Sequence, residues 1–142
     1  FMIGASRGGM MTYLALKKGA KVNAAVSLYA PSDLFRSAKN RPKMESNVYN
    51  ELIPDITKNR DTELKSRSAI YWSNKINTPL LLIHGDKDLK VSHKHSELLE
   101  KEMKKHGKEV QLILYKGEKH GLYGKMKNLF HDIHKWLDEH KK

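Results

Sequence analysis

With 142 residues, 39% of them hydrophobic, the chain is long enough for one domain with a buried core. Its 27 Lys and Arg outweigh 16 Asp and Glu for a formal charge of +11, and it has no Cys, which excludes disulfides, Cys-ligated zinc and a thiol nucleophile. No apolar run approaches the roughly 18 residues that a membrane-spanning helix needs.

No basic leader precedes an apolar stretch, so a cytoplasmic location and no membrane partner are expected. Basic residues are interleaved with Glu in "LEKEMKKHGKE" and "DEHKK", which reads as solvated helix faces. Without an aromatic-basic platform or a nucleic-acid motif, no nucleic-acid partner is expected either.

Phe1-Met2-Ile3 is a short apolar run leading into Gly4-Ala5-Ser6-Arg7-Gly8-Gly9. Met10 to Lys18 predicts a helix, with Met10, Met11, Tyr13 and Leu14 apolar and Gly19 as its stop. "NAAVSLYA", Asn23 to Ala30, predicts a buried strand ending at Pro31. Residues 34–75 are polar, twice interrupted by proline and too long for an ordinary connection. Phe35, Tyr49, Tyr71 and Trp72 within them predict a packed lid of short helices over a site.

"TPLLLIHGD" predicts a second buried strand, entered through Pro79 and left through Gly85. Ser92 is the candidate N-cap of a helix reaching His106, with Leu98, Leu99 and Met103 inward and Gly107 beyond its end. "EVQLILYKG" predicts a third strand. Met126, Leu129, Phe130, Ile133, Trp136 and Leu137 then recur at helical spacing. Strands that are apolar throughout, alternating with helices, predict an α/β fold whose mainly parallel sheet is covered on both faces.

In an open parallel sheet, function gathers past the carboxyl ends of the strands. Three loops at such ends carry, in order, a serine (Ser6), an acid (Asp86 or Asp88) and a histidine (His120). A serine hydroxyl is a weak nucleophile until a histidine takes its proton, and a carboxylate holds that histidine in the right tautomer. The glycines fit the same reading. A strand turning sharply into a helix strains Ser6, and side chains at residues 4 and 8 are expected to collide with neighbouring backbone. The helix N-terminus behind Ser6 favours an oxyanion, with the Arg7 N–H as the expected donor. Taken alone, the same stretch also reads as a glycine-rich helix cap.

"GASRGG" between a strand and a helix, then "TPLLLIHGDKDLKV", then "YKGEKHGL" together resemble the carboxyl-terminal half of an α/β-hydrolase of the prolyl oligopeptidase family. That family carries G-x-S-x-G-G, then H-G-x-x-D-x-x-V, then H-G. The resemblance covers essentially the whole chain, with residues 34–75 unmatched by motif. It implies a nucleophile at Ser6, an acid at Asp88, four residues after His84, and a base at His120. Asp86 is then a turn residue or a helper of its loop.

The resemblance further implies a serine hydrolase that cleaves a small peptide or ester through an acyl-enzyme, with no cofactor or metal. A carboxylesterase of the same fold and a non-catalytic binding protein on this scaffold are the alternatives. It also implies that the first strand is cut short, and that an amino-terminal half-domain absent from this chain covers its open edge and supplies a second oxyanion donor. Residues 1–142 alone are then expected to be inactive, and to associate with that half or with one another as a homo-oligomer.

Among the remaining residues, Tyr29 and Trp72 are candidates to line a substrate pocket, and Asp33 reads as the N-cap of "LFRSAK". His84 ends a buried strand and reads as structural. His93, His95, His106, His131, His134 and His140 fall on helices among lysines and read as surface residues. His131 and His134 share a helix face, but no carboxylate or Cys framework supports a metal there.

Overall fold

The computed structural model describes all 142 residues. The chain runs through β1 (Met2–Ala5), α1 (Arg7–Lys17), β2 (Ala25–Leu28) and α2 (Leu34–Asn40). A π-helical turn at Glu45–Tyr49 continues into α3 (Asn50–Leu52) and α4 (Ile56–Ser66). Then come β3 (Leu80–Gly85), α5 (Lys94–Lys105), β4 (Val110–Tyr115) and α6 (Met126–Glu139).

The four strands lie side by side in chain order, and every pair is parallel. The register matches Ala5 with Leu28, Leu28 with Ile83, and Gly85 with Tyr115. All the strands therefore end at one edge of the sheet. β2 and β3 are buried at every residue, which is why they read as continuous apolar runs rather than alternating ones. The outer edge of β1 pairs with no strand of this chain, and Phe1 and Ile3 beside it are about half exposed.

Each face of the sheet holds a core of its own. On one side Leu80 and Leu82 pack with Tyr13 and Leu16 of α1 and with Leu99 and Met103 of α5. On the other, Val26, Leu81, Ile83 and Tyr115 pack with Leu129, Ile133 and Trp136 of α6. The expected helices are present with shifted ends. α1 begins at Arg7 rather than Met10, because the chain turns helical directly after Ser6. α5 begins at Lys94, whose N–H donates to the Ser92 hydroxyl at 3.3 Å. Met11 and Phe130, apolar positions of α1 and α6, are 55% exposed and lie outside both cores. No helix is long and apolar enough to cross a membrane.

Residues 34–75 fold as short helices around a third core, in which Leu34, Tyr49, Ile53, Ile56 and Leu64 pack together with Met10 of α1 against them. Asp33 caps α2 as expected, its Oδ1 accepting from the N–H groups of Phe35 and Arg36 at 3.0 and 3.3 Å.

His95 corrects the surface reading of the helix histidines. It faces away from the lysines of α5 and is 1% exposed. Its Nδ1 accepts from the N–H groups of Ser32 and Asp33 at 3.2 and 3.3 Å, and the Ser32 hydroxyl donates to the His95 carbonyl at 2.7 Å. One neutral imidazole thus ties α5 to the loop that starts the helical segment. Burial, with His84 and Arg36 nearby, pushes its pKa down from the ordinary histidine value to about 4.

The sign of the consequence follows. Between about pH 6.5 and 4 the unfolded chain binds a proton that the folded chain refuses, so stability is complete above the upper value and is lost as pH falls. At about 1.4 kcal/mol per pH unit the loss reaches about 3 kcal/mol. Thermal melts between pH 7 and 4.5 are expected to show this fall. His95→Asn keeps an acceptor that cannot take the proton, so its pH dependence should be shallower; a parallel fall would assign the loss elsewhere.

Candidate active site

The site forms where the three expected loops meet past the ends of β1, β3 and β4. Ser6 sits between β1 and α1 with φ 52° and ψ −120°, a left-handed conformation unusual for a residue with a side chain. Two close approaches hold the turn. A Cβ on Gly4 would lie 2.2 Å from the Gly8 carbonyl, and one on Gly9 would lie 2.5 Å from both the Ala30 Cβ and the Ser27 hydroxyl. Gly8 itself has open space around it, so the expected collision falls on residues 4 and 9 and not on residue 8. The reason is that α1 turns residue 9 toward β2 and residue 8 toward solvent.

The loop after β3 is pressed against the loop after β4. A Cβ on Gly85 would lie 2.2 Å from the Glu118 carbonyl. Lys87 N–H donates to that same carbonyl at 2.9 Å, and Asp86 accepts from Gly117 N–H at 2.7 Å. Asp86 therefore fastens one loop to the other. Asp88, two residues on, points inward.

The Asp88 side chain is fully buried and its hydrogen bonding is dense. Oδ1 accepts from Lys90 and Val91 N–H, each at 2.9 Å, and Oδ2 lies 2.7 Å from His120 Nδ1. His84 Nε2 is 3.3 Å from the same Oδ2 and 2.8 Å from the Val91 carbonyl. Burial would push the carboxyl up, but His84, the Val91 N–H and His120 together hold its pKa down to about 2. Asp88 is thus a carboxylate that only accepts. His120 must place its proton on Nδ1, which leaves Nε2 bare, 3.1 Å from Ser6 Oγ. An imidazole held this way is set to take a proton from the serine hydroxyl.

Tyr29 and Trp72 were expected at a substrate pocket. Tyr29 stands edge-on to His120, with ring centroids 4.7 Å apart, on a backbone with φ 39° at the end of β2. Trp72 is buried in the core beside Tyr13 and Leu80, and its Nε1 donates to the Lys65 carbonyl at 3.2 Å. Its indole is taken up by packing, and it does not line the cavity beside Ser6. That cavity holds about 1100 Å³ and opens at Ser6, with Met10, Leu34, Val48, Tyr49 and Val91 in its wall.

His84, expected to be structural, is fully buried at the end of β3 and also reaches Asp88. Its i, i+4 spacing from Asp88 was the available signal, since it lies buried beneath the carboxylate with Nδ1 2.8 Å from the Ser96 hydroxyl. His131 and His134 are both exposed on α6.

A parallel sheet flanked by helices, presenting serine, acid and histidine in that order from its strand ends, is the α/β-hydrolase fold. The chain belongs to the prolyl oligopeptidase family, whose family model matches residues 1–142. It is 35% identical over 115 residues to the uncharacterised peptidase YtmA of Bacillus subtilis (strain 168), covering 80% of this chain and 44% of YtmA. Among solved structures it resembles a puromycin-hydrolysing peptidase of Mycobacterium tuberculosis, with a TM-score of 0.77 and 26% identity. That match covers 84% of this chain and 18% of the other. It also resembles the acylaminoacyl peptidase of Pyrococcus horikoshii, at TM-score 0.72 and 26% identity over 84% of this chain and 19% of that one. The chain therefore spans less than half the length of these relatives.

The glycine geometry separates two neighbouring substitutions. Gly8→Ala is expected to leave stability unchanged or raise it by up to about 1 kcal/mol, since alanine is the better helix former. Gly9→Ala forces α1 away from β2 and should cost about 1–3 kcal/mol. Urea midpoints of the two variants check this, and equal costs would contradict the packing described.

Proposed function

We propose that this chain carries the nucleophile, base and acid of a serine peptidase, with Ser6, His120 and Asp88 in those roles. The observation that carries the reading is the continuous chain from Ser6 Oγ through His120 to a buried, ionised Asp88. The family membership supports it.

In this reading Ser6 Oγ attacks the carbonyl carbon of a peptide or ester while its proton passes to His120 Nε2. Negative charge grows on the carbonyl oxygen, and in this reading the Arg7 N–H at the start of α1 donates to it. The tetrahedral species collapses, the C–N or C–O bond breaks, and the leaving group takes the proton from Nε2. Water then repeats the sequence on the acyl-enzyme and frees the acid. Asp88 stays ionised throughout and stabilises the imidazolium through Nδ1–H. The helical segment 34–75 forms part of the wall over the cavity and acts as a lid. Burial, the nearby Tyr123 and Asp88 all push the Tyr29 hydroxyl pKa up, so it stays neutral and holds His120 by its ring.

A fluorophosphonate probe is expected to label Ser6 alone, with labelling abolished in Ser6→Ala. Asp88→Asn should lower turnover roughly 10⁴-fold, the scale seen when a triad acid is neutralised, whereas Asp86→Asn should cost far less. Labelling that survives in Ser6→Ala would overturn the reading.

The second oxyanion donor in this reading comes from a strand–helix loop outside residues 1–142, reached along the open edge of β1. Loss of one such donor costs roughly 10²–10³ in rate. Residues 1–142 alone should therefore hydrolyse p-nitrophenyl esters at a rate lower by at least that factor than a form extended at the amino end. Equal rates from the two forms would argue against it.

A further inference from the structure

Carboxylates are absent from the wall of the cavity beside Ser6, whereas helix α5 carries Glu97, Glu100 and Glu102 among its lysines. Along α5, three of the four lysines have glutamate partners one helical turn away: Lys94 with Glu97 at 2.6 Å, Lys104 with Glu100 at 2.7 Å, and Lys105 with Glu102 at 2.9 Å. The 22 residues lining the cavity beside Ser6 include seven Lys or Arg and no Asp or Glu. Of those seven only Arg67 has a carboxylate partner, Glu63, and no other has one within 4.0 Å. Cations gathered without counter-charge repel one another, and a partly apolar wall concentrates their field.

Three of these cations are tied to residues of the site by the chain or by a hydrogen bond. Arg7 follows Ser6 in the chain. Arg41, at the end of α2, donates from Nη1 to the Lys90 carbonyl at 3.3 Å. Lys90 lies two residues beyond Asp88, to which its own N–H donates. Its backbone is therefore pinned while its ammonium stays exposed. Between them the wall is apolar, with Met10, Leu34, Met44, Val48, Tyr49 and Ile53. At the far end of α1, about 15 Å away by helix rise, Lys17, Lys18 and Lys75 continue the same sign. The Lys17 ammonium pKa is pushed down by burial first and then by Lys75, Arg67 and Lys18.

We propose that the cavity selects acidic peptides, with a side-chain carboxylate within a residue or two of the cleaved bond held by Arg41 and Lys90. The proposal rests on Ser6 being the nucleophile of a peptidase and adds the charge class of its substrate. An apolar floor accepts the neighbouring side chain, and the unpaired guanidinium and ammonium receive the carboxylate through charge-assisted hydrogen bonds. The wall has no carboxylate to receive a basic peptide, which meets repulsion from both sides.

The test is binding by isothermal titration calorimetry to Ser6→Ala, which removes turnover. Capped pentapeptides identical except for Glu, Gln or Lys beside a central leucine serve as ligands. The Glu peptide is expected to bind roughly tenfold or more tighter than the Lys peptide at low salt, with the gap shrinking in about 0.5 M NaCl. Arg41→Gln combined with Lys90→Gln should bring the Glu peptide down to the Gln peptide. Should Ser6→Ala fold poorly, protection of the wild-type protein from fluorophosphonate by the same peptides gives the same ranking. Equal affinities, or a preference for Lys, would overturn the proposal. Labelling of Ser6 without any peptide reports separately on the nucleophile, so the two readings fail by different results.

Discussion

The buried carboxylate of Asp88 is the constraint around which the site is arranged. An ionised group without water is tolerable only where hydrogen bonds replace its hydration. Here two backbone N–H groups and two imidazoles do so. Each donor has a structural consequence. Lys90 and Val91 curl the loop after β3 into a tight turn, and His84 anchors that turn to the strand end. His120 is oriented with its bare nitrogen toward Ser6. Satisfying one charge thereby sets the shape of a loop, the tautomer of a histidine and the partner of a serine.

That arrangement needs the loops to lie very close together, which the parallel sheet alone does not guarantee. It brings all the strand ends to one edge, but the last few ångströms come from missing side chains. Gly9 lets α1 lie against β2, and Gly85 lets the loop after β3 touch the carbonyl of Glu118. Backbone strain collects in the same place. Of the four non-glycine residues with positive φ, Ser6, Tyr29 and Leu122 all follow strand ends at this edge of the sheet, after β1, β2 and β4. Such conformations cost of order 1–3 kcal/mol each and persist only where the surroundings enforce them. The two cores, one on each face of the sheet, are what enforce them here.

The net positive charge has two different physical settings. On α5 three of four lysines are paired with glutamate along the helix, where pairs of this kind contribute only a few tenths of a kcal/mol. Around the cavity all the cations but Arg67 lack a carboxylate partner, and there they shape the potential that an incoming molecule meets. A single composition figure averages these two situations. The difference lies in which segments meet, since Arg41 at the end of α2 and Lys90 in the loop after β3 are far apart in the chain and adjacent in space.

The residues themselves determined much of this. Uniformly apolar runs separated by amphipathic helices are compatible with a parallel sheet covered on both faces and with little else, so the fold class was legible. Ser6, His120 and an acid at Asp86 or Asp88 were readable as candidates because each stands past a strand end where such side chains can converge, and the family resemblance is what pointed to Asp88. What tertiary structure decided was every feature that depends on which surface faces which. His95 lies within a lysine-rich helix, yet the face it shares with Ser96 turns inward onto the loop at Ser32. Trp72 reads equally as a pocket wall or a core residue until the packing around Tyr13 claims it. Gly8 and Gly9 are indistinguishable in the motif, and only the rotation of α1 about its axis makes one essential and the other free. Periodicity records that a residue lies on a helix or strand, whereas contact across the chain depends on the relative orientation of elements, which no local pattern encodes.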